Sequence, residues 1–371
     1  MAKRKFDWIL CVAVLMLVAL GLVFVYSASM YNAQTAYNNK YFFLFKQLTG
    51  AVIGVVAMLV VSQIKLEFIK KLWIVGVVVA VVLLGLVFVP GLGIENYGAK
   101  RWIGFGGFSM QPSEIAKFAF VLFSAVYMSK KDMKKFRNSI VVILVGVAFC
   151  GLIIAEPNMS ITMCMAMLLI IMLFLGGMKW KHFLLMLVPI LLAVPVLIFM
   201  EPYRLQRLLA FIDPWASPKD EGYQLIQSLY ALGSGGFFGV GLFNSRQKYR
   251  FLPFAESDFI FSVIGEETGL FGCAIMFLLY IIVILRGVRI AANAKDKFRC
   301  YLAAGISAVV AVQSVLNFAV VTGSIPPTGL PLPFISYGGT SLVVFLSAVG
   351  ILLNISRDVI PNKLGAGLWI T

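Results

Sequence analysis

Long apolar runs separated by short polar segments dominate the chain. Each run approaches the ~20 residues that a helix needs to cross a bilayer. The runs cover residues 8–28, 42–62, 72–89, 113–128, 139–156, 159–176, 183–200, 258–285, 300–321 and 340–356. This pattern predicts an all-α polytopic membrane protein with about ten transmembrane helices, built as a single membrane domain over 1–371.

Composition supports a membrane protein over a soluble one. Of the 371 residues, 61% are hydrophobic and 13% are charged, and the mean hydropathy is +0.96. A soluble domain would have about 45–50% apolar and about 25% charged residues. The sequence shows no soluble domain of useful size.

Lysine and arginine are concentrated in alternate segments between the predicted helices. The positive-inside rule assigns such segments to the cytoplasm. Both termini are therefore predicted to be cytoplasmic, and the loop over 201–257, between helices 7 and 8, to be extracellular. This topology accounts for the net charge of +15. The basic residues form no single stripe, so the expected partners include membrane lipids but no nucleic acid.

Cysteine and histidine offer little chemistry. The five cysteines lie in or beside predicted helices, without CxxC or CxxH spacing, and are interpreted as small packing residues. His182 is the single histidine. A catalytic triad built on histidine and a metal site with several histidines are thereby excluded.

Three outer segments have a distinctive composition. Glycines and terminal prolines predict a structured loop over 90–112. Four prolines predict a non-helical segment over 322–339 that packs within the protein or re-enters the membrane under cover of its neighbours. Inside the 201–257 loop, the spacing over 222–232 predicts an amphipathic helix on or in the bilayer. The glycines over 233–241 resemble a phosphate-binding loop but lack its Lys-Ser/Thr ending.

Asp258 lies where the long outer loop meets the eighth predicted helix. A carboxylate at the lipid–water boundary can act as a general base or stabilise charge. It can equally cap the helix or interact with its dipole. The residues alone leave both interpretations open.

Four further carboxylates lie in or beside predicted helices. Glu114 and Lys117 share a helix face, so they either form a structural ion pair or line a polar cavity. Glu156 belongs to a cavity or to a solvated turn. Glu266 and Glu267 follow Asp258 along its helix, and neither is clearly a second catalytic carboxylate.

Outer-face cations accompany Asp258 in the sequence. They could contact phospholipid headgroups, or they could bind an anionic lipid substrate such as a pyrophosphate-linked one, since arginine binds phosphate in a bidentate manner. The candidates are Lys100, Arg101, Arg204, Arg207, Arg246, Lys248 and Arg250. Their clustering favours the second interpretation.

Five segments resemble the SEDS family, the group that contains FtsW, RodA and SpoVE. They are GAKRWIGFGGFSMQPSEIAK (98–117), DPWASPKDEGYQLIQSLYALGSGG (213–236), GLFNSRQKYRFLP (241–253), SDFIFSVIGEETGL (257–270) and GLPLPFISYGGTSL (329–342). They follow one another in the order typical of the family, and the resemblance covers essentially the whole chain. The 213–236 segment is more similar to FtsW and SpoVE than to RodA.

The resemblance implies a glycosyltransferase in the bacterial cytoplasmic membrane. Such an enzyme polymerises lipid II, an undecaprenyl-pyrophosphate-linked disaccharide peptide, into peptidoglycan strands for cell division or sporulation. It also implies ten membrane helices and a cognate class B penicillin-binding protein as partner. The family's catalytic Asp matches Asp258, and its cavity-associated PSE…K pair matches Glu114 and Lys117.

The family pattern also suggests a mechanism and shows departures. Asp258 would take the proton of the acceptor hydroxyl, and Arg and Lys would meet the charge of the leaving pyrophosphate. A divalent cation could share that load, although no carboxylate cluster marks a metal site. Asn158 stands in place of the Asp of the family's usual Pro-Asp-x-Gly, Phe254 in place of a common acidic residue, and Asn244 in place of a common Gly.

Two other functions stay open at this point. A lipid II flippase would need a traversable polar path, which Glu114, Lys117 and Glu156 could line. A non-catalytic scaffold of division or sporulation would not need the carboxylate of Asp258.

Overall fold

The computed structural model describes residues 6–96, 99–105, 108–199 and 202–358. Its helices are α1 (Trp8–Tyr37), α2 (Phe42–Val61), α3 (Leu66–Lys71), α4 (Trp73–Leu86), α5 (Pro112–Lys130), α6 (Phe136–Ala155), α7 (Met159–Leu175), α8 (Trp180–Phe199), α9 (Pro202–Ile212), α10 (Tyr223–Gly235), α11 (Ile260–Ala292), α12 (Lys297–Val321) and α13 (Gly339–Arg357). A short 3-10 helix covers Pro214–Ala216.

Every predicted apolar run coincides with one of these helices, which confirms the all-α polytopic prediction. Six helices, α1, α2, α6, α11, α12 and α13, are long and apolar enough to cross a membrane by length and composition. The shorter α4 and α7 are also apolar. The number of spans and the cytoplasmic placement of both termini stay predictions.

Two helices extend beyond the apolar runs that predicted them. α1 continues to Tyr37, and α11 continues to Ala292 with a kink at Gly269, whose φ is 64°. At the kink, Leu270 N donates to Gly236 O over 3.0 Å and Val240 N donates to Glu266 O over 2.9 Å. The 236–241 turn thus supplies main-chain partners where the helical ladder is interrupted. The glycine-rich segment that resembles a phosphate loop serves this structural purpose.

The 90–112 loop contains a small antiparallel sheet that the sequence did not predict. Its strands are β1 (Gly93–Asn96), β2 (Ala99–Phe105) and β3 (Phe108–Met110), in the order β1-β2-β3. Glycine and proline predicted a structured loop. They did not predict the strands, because the strands are short and glycines weaken the alternating side-chain pattern of a strand. The sheet leads directly into α5, which has Pro112 in its first turn.

α12 lies at the centre of the helices, with 78% of its most apolar window buried. Close helix packing depends on small residues elsewhere: a Cβ on Gly50 of α2 would lie 2.7 Å from Gly339 Cα of α13. Such small residues allow membrane helices to approach closely. The five cysteines lie in helices, and all except Cys150 are fully buried, which confirms that they are packing residues.

The segment over 322–339 is irregular and packs inside the protein, as predicted. Leu330, Leu332 and Phe334 are buried. Side chains of α12 satisfy its carbonyls: Gln313 Nε2 donates to Pro331 O over 2.9 Å, and Asn317 Nδ2 donates to Leu330 O over 2.7 Å. Non-helical backbone at membrane depth needs such internal partners.

α10 confirms the helix predicted over 222–232, and one of its faces packs on protein. Ser228 Oγ lies 2.8 Å from Ser262 Oγ of α11 and donates to Val321 O over 2.7 Å. The outer loop is therefore fastened to α11 and α12 immediately beside Asp258.

Candidate functional site

Asp258 occupies the turn that leads into α11, one residue before the helix cap. The cap residue is Phe259, and among the described residues no side chain caps this helix end. The structure therefore does not support the interpretation of Asp258 as an N-cap. The residue as a whole is half-buried.

The pKa of Asp258 reflects opposing influences. Burial raises it, while a hydrogen bond from Ser257 and the charges of Arg101 and Arg207 lower it, and the nearby Glu256 raises it further. The balance raises the pKa to about 6. A carboxyl with such a pKa is ionised at neutral pH yet is more basic than an ordinary aspartate, as a general base requires.

The main chain around Asp258 is held by three hydrogen bonds from later parts of the chain. Asn317 Nδ2 donates to Asp258 O over 2.8 Å and also to Leu330 O. Ser336 Oγ donates to Ser257 O over 2.6 Å, and Tyr337 N donates to Glu256 O over 2.9 Å. The 256–258 turn is therefore fixed to α12 and to the 322–339 segment.

Gly329 leaves room for the Asp258 carboxyl. Its φ is 74°, a region that favours glycine, and a Cβ there would lie 3.1 Å from Asp258 Oδ2. The sequence analysis missed this contact and the role of Asn317. A polar amide inside an otherwise apolar predicted helix was the available signal for Asn317.

Arg101 and Arg207 are the predicted cations that act on Asp258. Arg101 lies on β2, and its guanidinium donates to the main-chain oxygens of Glu156, over 3.4 Å, and Pro157. Arg207 lies on α9 and pairs with Glu221 at 3.7 Å. The structure thus brings together cations that are more than one hundred residues apart in the sequence.

Lys248 is buried instead of facing the outer surface. Only 1% of it is exposed, and its ammonium contacts Glu267 Oε1 at 3.4 Å and the carbonyl of Phe243. Ser27 of α1 also donates to Glu267 Oε1. The expectation of an exposed cation at this position is corrected: Lys248 compensates a buried carboxylate and joins α1, α11 and the outer loop.

Glu266 and Glu267 both support the outer loop. Glu266 accepts from the hydroxyl of Ser245, from Arg246 N at 2.9 Å and from Gln247 N at 3.4 Å, and Glu267 accepts from Ser245 N at 3.3 Å. The structure gives them a scaffold role that the sequence had left open.

The remaining predicted cations lie at different places on the outer surface. Arg250 donates to Asn32 Oδ1 over 3.3 Å and to Thr35 Oγ1 over 2.7 Å at the outer end of α1. Lys100 on β2 and Arg246 are exposed. The side chain of Arg204, on α9, lies outside the described part of the chain.

Glu114 and Lys117 form a buried ion pair with a distance of 2.9 Å. Lys117 also contacts Gln313 Oε1, and Ser341 Oγ donates to Glu114 Oε2 over 3.2 Å. Because Gln313 in turn donates to Pro331 O, the pair is linked through α12 to the segment that surrounds Asp258. The two side chains therefore form the ion pair that the sequence analysis offered as one interpretation.

Glu114 additionally borders a cavity of about 540 Å³ between α2, α5 and α13. Lys46 and Thr49 line it from α2, and Tyr337 lines it from the segment that holds the Glu256 carbonyl. Lys117 is not among its lining residues. Within the described residues, no three His, Cys, Asp or Glu side chains are grouped so as to hold a metal ion.

Comparisons with known proteins agree with these motifs. Residues 7–360 match the model of the family described as cell cycle proteins, FtsW/RodA/SpoVE. The chain is 40% identical over 359 residues to the stage V sporulation protein E of Bacillus subtilis (strain 168), covering 96% of this chain and 98% of that protein. It is also 40% identical over 356 residues to the probable peptidoglycan glycosyltransferase FtsW of Geobacter sp. (strain M18), covering 95% and 96% respectively.

The fold is likewise similar to a solved structure. One chain of a peptidoglycan synthase complex, studied for the structural coordination of polymerization and crosslinking, matches with a TM-score of 0.80 at 27% identity. The match covers 95% of this chain and 98% of that chain. Because the family match, the relatives and the fold all extend over nearly the whole sequence, the chain belongs to the FtsW/RodA/SpoVE family of polytopic bacterial membrane proteins.

Proposed function

We propose that this chain is a peptidoglycan glycosyltransferase that polymerises lipid II at the outer face of the cytoplasmic membrane, with Asp258 as its general base. The carrying observation is Asp258, a half-buried residue; burial raises the pKa of its carboxyl to about 6, and two arginines act on it from separate elements. Relatives of similar length are named probable peptidoglycan glycosyltransferases, which supports the reaction class.

In this proposal, Asp258 accepts the proton of the acceptor sugar hydroxyl as its oxygen attacks the anomeric carbon of the donor. The bond between that carbon and the pyrophosphate oxygen breaks, and undecaprenyl pyrophosphate leaves. A positioned base of this kind contributes about 10²–10⁴-fold to a rate. The hydrogen bonds to the 256–258 turn support the role, because they fix the main chain that carries the carboxylate before the substrate arrives.

Arg101 and Arg207 are the proposed partners of the pyrophosphate. Negative charge develops on the leaving group, and arginine offers planar paired donors that match phosphate oxygens. Lys100 extends from the same strand as Arg101, and Arg204 belongs to the same helix as Arg207. We place Arg246 and Arg250 at the rim of the site, where they contact the outer part of the substrate or lipid headgroups.

In this proposal, the Glu114–Lys117 pair supports the site indirectly. It reaches the 322–339 segment through Gln313. Ile53 of α2 and Val343 and Val344 of α13 give part of the cavity beside Glu114 an apolar lining, a surface suited to the hydrocarbon part of a lipid. Its shared wall at Tyr337 would bring such a lipid close to the Asp258 turn.

A class B penicillin-binding protein is the proposed partner. The similar solved chain comes from a complex in which polymerization and crosslinking are coordinated. A polymerase of glycan strands needs a transpeptidase to crosslink its product. We assign that crosslinking to the partner.

The test is polymerisation of labelled lipid II by the purified chain together with its cognate penicillin-binding protein. Wild type is expected to produce glycan strands, and Asp258→Asn none, at equal amounts of folded protein. The matched control is Asp132→Asn in the loop before α6, on the opposite face in the predicted topology, which should keep full activity. Strands from Asp258→Asn would remove the base assignment. Failure of wild type, with lipid II transport in vesicles, would favour the flippase.

A further inference from the structure

Glu156 stands out among the buried carboxylates of the protein. It follows α6 directly, is wholly buried, and neither of its carboxyl oxygens has a hydrogen-bond partner among the described residues. Glu114 and Glu266, also buried, each accept from several donors. Buried polar groups are nearly always satisfied, so an orphaned carboxyl calls for an explanation.

The turn that contains Glu156 holds Arg101 through its main chain. The guanidinium donates to the carbonyl oxygens of Glu156 and Pro157, while the carboxyl beside these carbonyls stays unsatisfied. The charge of Arg101 nevertheless acts on Glu156, and the same charge acts on Asp258. Arg101 is therefore a cation whose charge acts on two carboxyl groups.

Asn158 lies in the same turn as Glu156 and adds no second carboxyl to it. The family usually has Asp at this position, in Pro-Asp-x-Gly. Asn158 carries no charge but caps α7, because its Oδ1 accepts from Ile161 N over 3.3 Å. The acidic group of this turn is placed two residues earlier, at Glu156.

We propose that Glu156 is a positioning residue whose neutral carboxyl leaves the charge of Arg101 available to the substrate pyrophosphate, and whose ionised form competes with the pyrophosphate for Arg101. The proposal rests on the proposed function. The Glu156 carboxyl touches no reacting atom in this scheme; it acts through the guanidinium. An ionised Glu156 would compensate the charge of Arg101 at all times. An anionic ligand would then gain less free energy by binding to Arg101.

The neutral form dominates at neutral pH. Burial raises the pKa of Glu156 to about 8, although Arg101 lowers it in part. Among the described residues, Arg101 is the charged group that acts on it. Glu114 and Lys117 on α5 pair with each other, Cys150 and Cys164 are the thiols of α6 and α7, and Arg137 lies at the far end of α6. Raising the pH through this range converts Glu156 into a competitor.

The test is the pH dependence of lipid II polymerisation in the complex with the penicillin-binding protein. An apparent affinity falls with the competent fraction, so a group with a pKa of about 8 predicts a rise in KM of about tenfold from about pH 7 to about pH 9. Glu156→Gln, a neutral variant of the same size, should keep the neutral-pH KM and abolish this rise, with kcat nearly unchanged. Glu67→Gln on the cytoplasmic α3 is the matched control and should keep the rise.

Each outcome decides the proposal. Equal KM increases in wild type and Glu156→Gln would overturn it, as would a variant that loses kcat at neutral pH without any change in the pH profile of KM. If Glu156→Gln does not fold, wild type carries the test alone, and a KM that is constant over this pH range overturns the proposal. A wild type without polymerase activity would instead refute the proposed function.

Discussion

The N-terminal end of α11 carries two carboxylate regions with opposite surroundings. Glu266 and Glu267 are buried and accept hydrogen bonds from three main-chain amides, two serine hydroxyls and the Lys248 ammonium. Asp258 lies two turns earlier, partly exposed, with its main chain firmly bound and its carboxyl facing cations that belong to distant elements. One region is held by many protein donors, although Glu267 Oε2 has none among the described residues, and the other keeps capacity for a ligand.

This difference in hydrogen-bond partners distinguishes structural carboxylates from catalytic ones better than residue type does. A carboxylate whose lone pairs are filled by the protein holds the loop in place but has nothing left for a substrate. A carboxylate in a prepared position, with few direct partners, keeps its basicity. The scaffold carboxylates are thus expected to affect stability and Asp258 to affect rate.

The largest expected effect concerns Asp258→Asn. The turnover rate should fall by about 10²–10⁴-fold, because the base is lost. Because burial raises the pKa of this carboxyl to about 6, its ionised form costs stability above that pH, and the neutral amide removes the cost. At about pH 8 the unfolding temperature should therefore equal or exceed that of wild type.

Thermal unfolding and polymerisation measured on the same preparation check this prediction. A lower unfolding temperature for Asp258→Asn would mean that the carboxylate is structural, and the contrast between the two regions would collapse.

The second prediction addresses the scaffold region through Lys248→Met. Removing one partner of a buried ion pair leaves an uncompensated charge and costs about 3–5 kcal/mol. The unfolding temperature should fall markedly, while KM for lipid II per folded molecule should stay near the wild-type value.

The double variant Lys248→Met/Glu267→Gln is the control, since it removes both charges and should recover part of the lost stability. A rise in KM without loss of stability would return Lys248 to the set of substrate-binding cations.

The sequence predicted the helices and the location of Asp258 well, because long apolar runs and a carboxylate at a helix boundary are local patterns. It could not distinguish Lys248 from Arg101, since both look like exposed loop cations in the chain. Only the tertiary contacts place Glu267 beside Lys248 and the main chain of Glu156 beside Arg101. The sheet over 93–110 was missed for a related reason: short strands interrupted by glycine carry little periodicity.

The third prediction concerns the hydrogen bonds that position the Asp258 turn, and it is tested with Asn317→Leu. Its amide donates to Asp258 O and Leu330 O at 2.8 Å and 2.7 Å. Losing both bonds frees the turn, and a misplacement of about 1 Å at a reacting group can reduce a rate by about 10²-fold. We expect kcat to fall by about that factor while KM changes little.

Ser314→Ala serves as the control, because Ser314 is equally buried on α12 but its hydroxyl binds carbonyls of its own helix. Equal losses in both variants would indicate damage to α12 and not to the Asp258 turn.

The smallest expected effect is a shift in the acidic limb of the pH profile in Arg207→Gln. Wild-type activity should rise with pH and reach half its maximum at about 6, as Asp258 ionises. Arg207 lowers the pKa of Asp258, so its removal makes ionisation harder and moves this midpoint upward, by less than about one unit because other groups contribute more. Arg207→Lys keeps the charge and should keep the midpoint. A midpoint that stays fixed in Arg207→Gln, or moves downward, would show that the cations of α9 do not act on the catalytic carboxylate, and the electrostatic half of the comparison would rest on Arg101 alone.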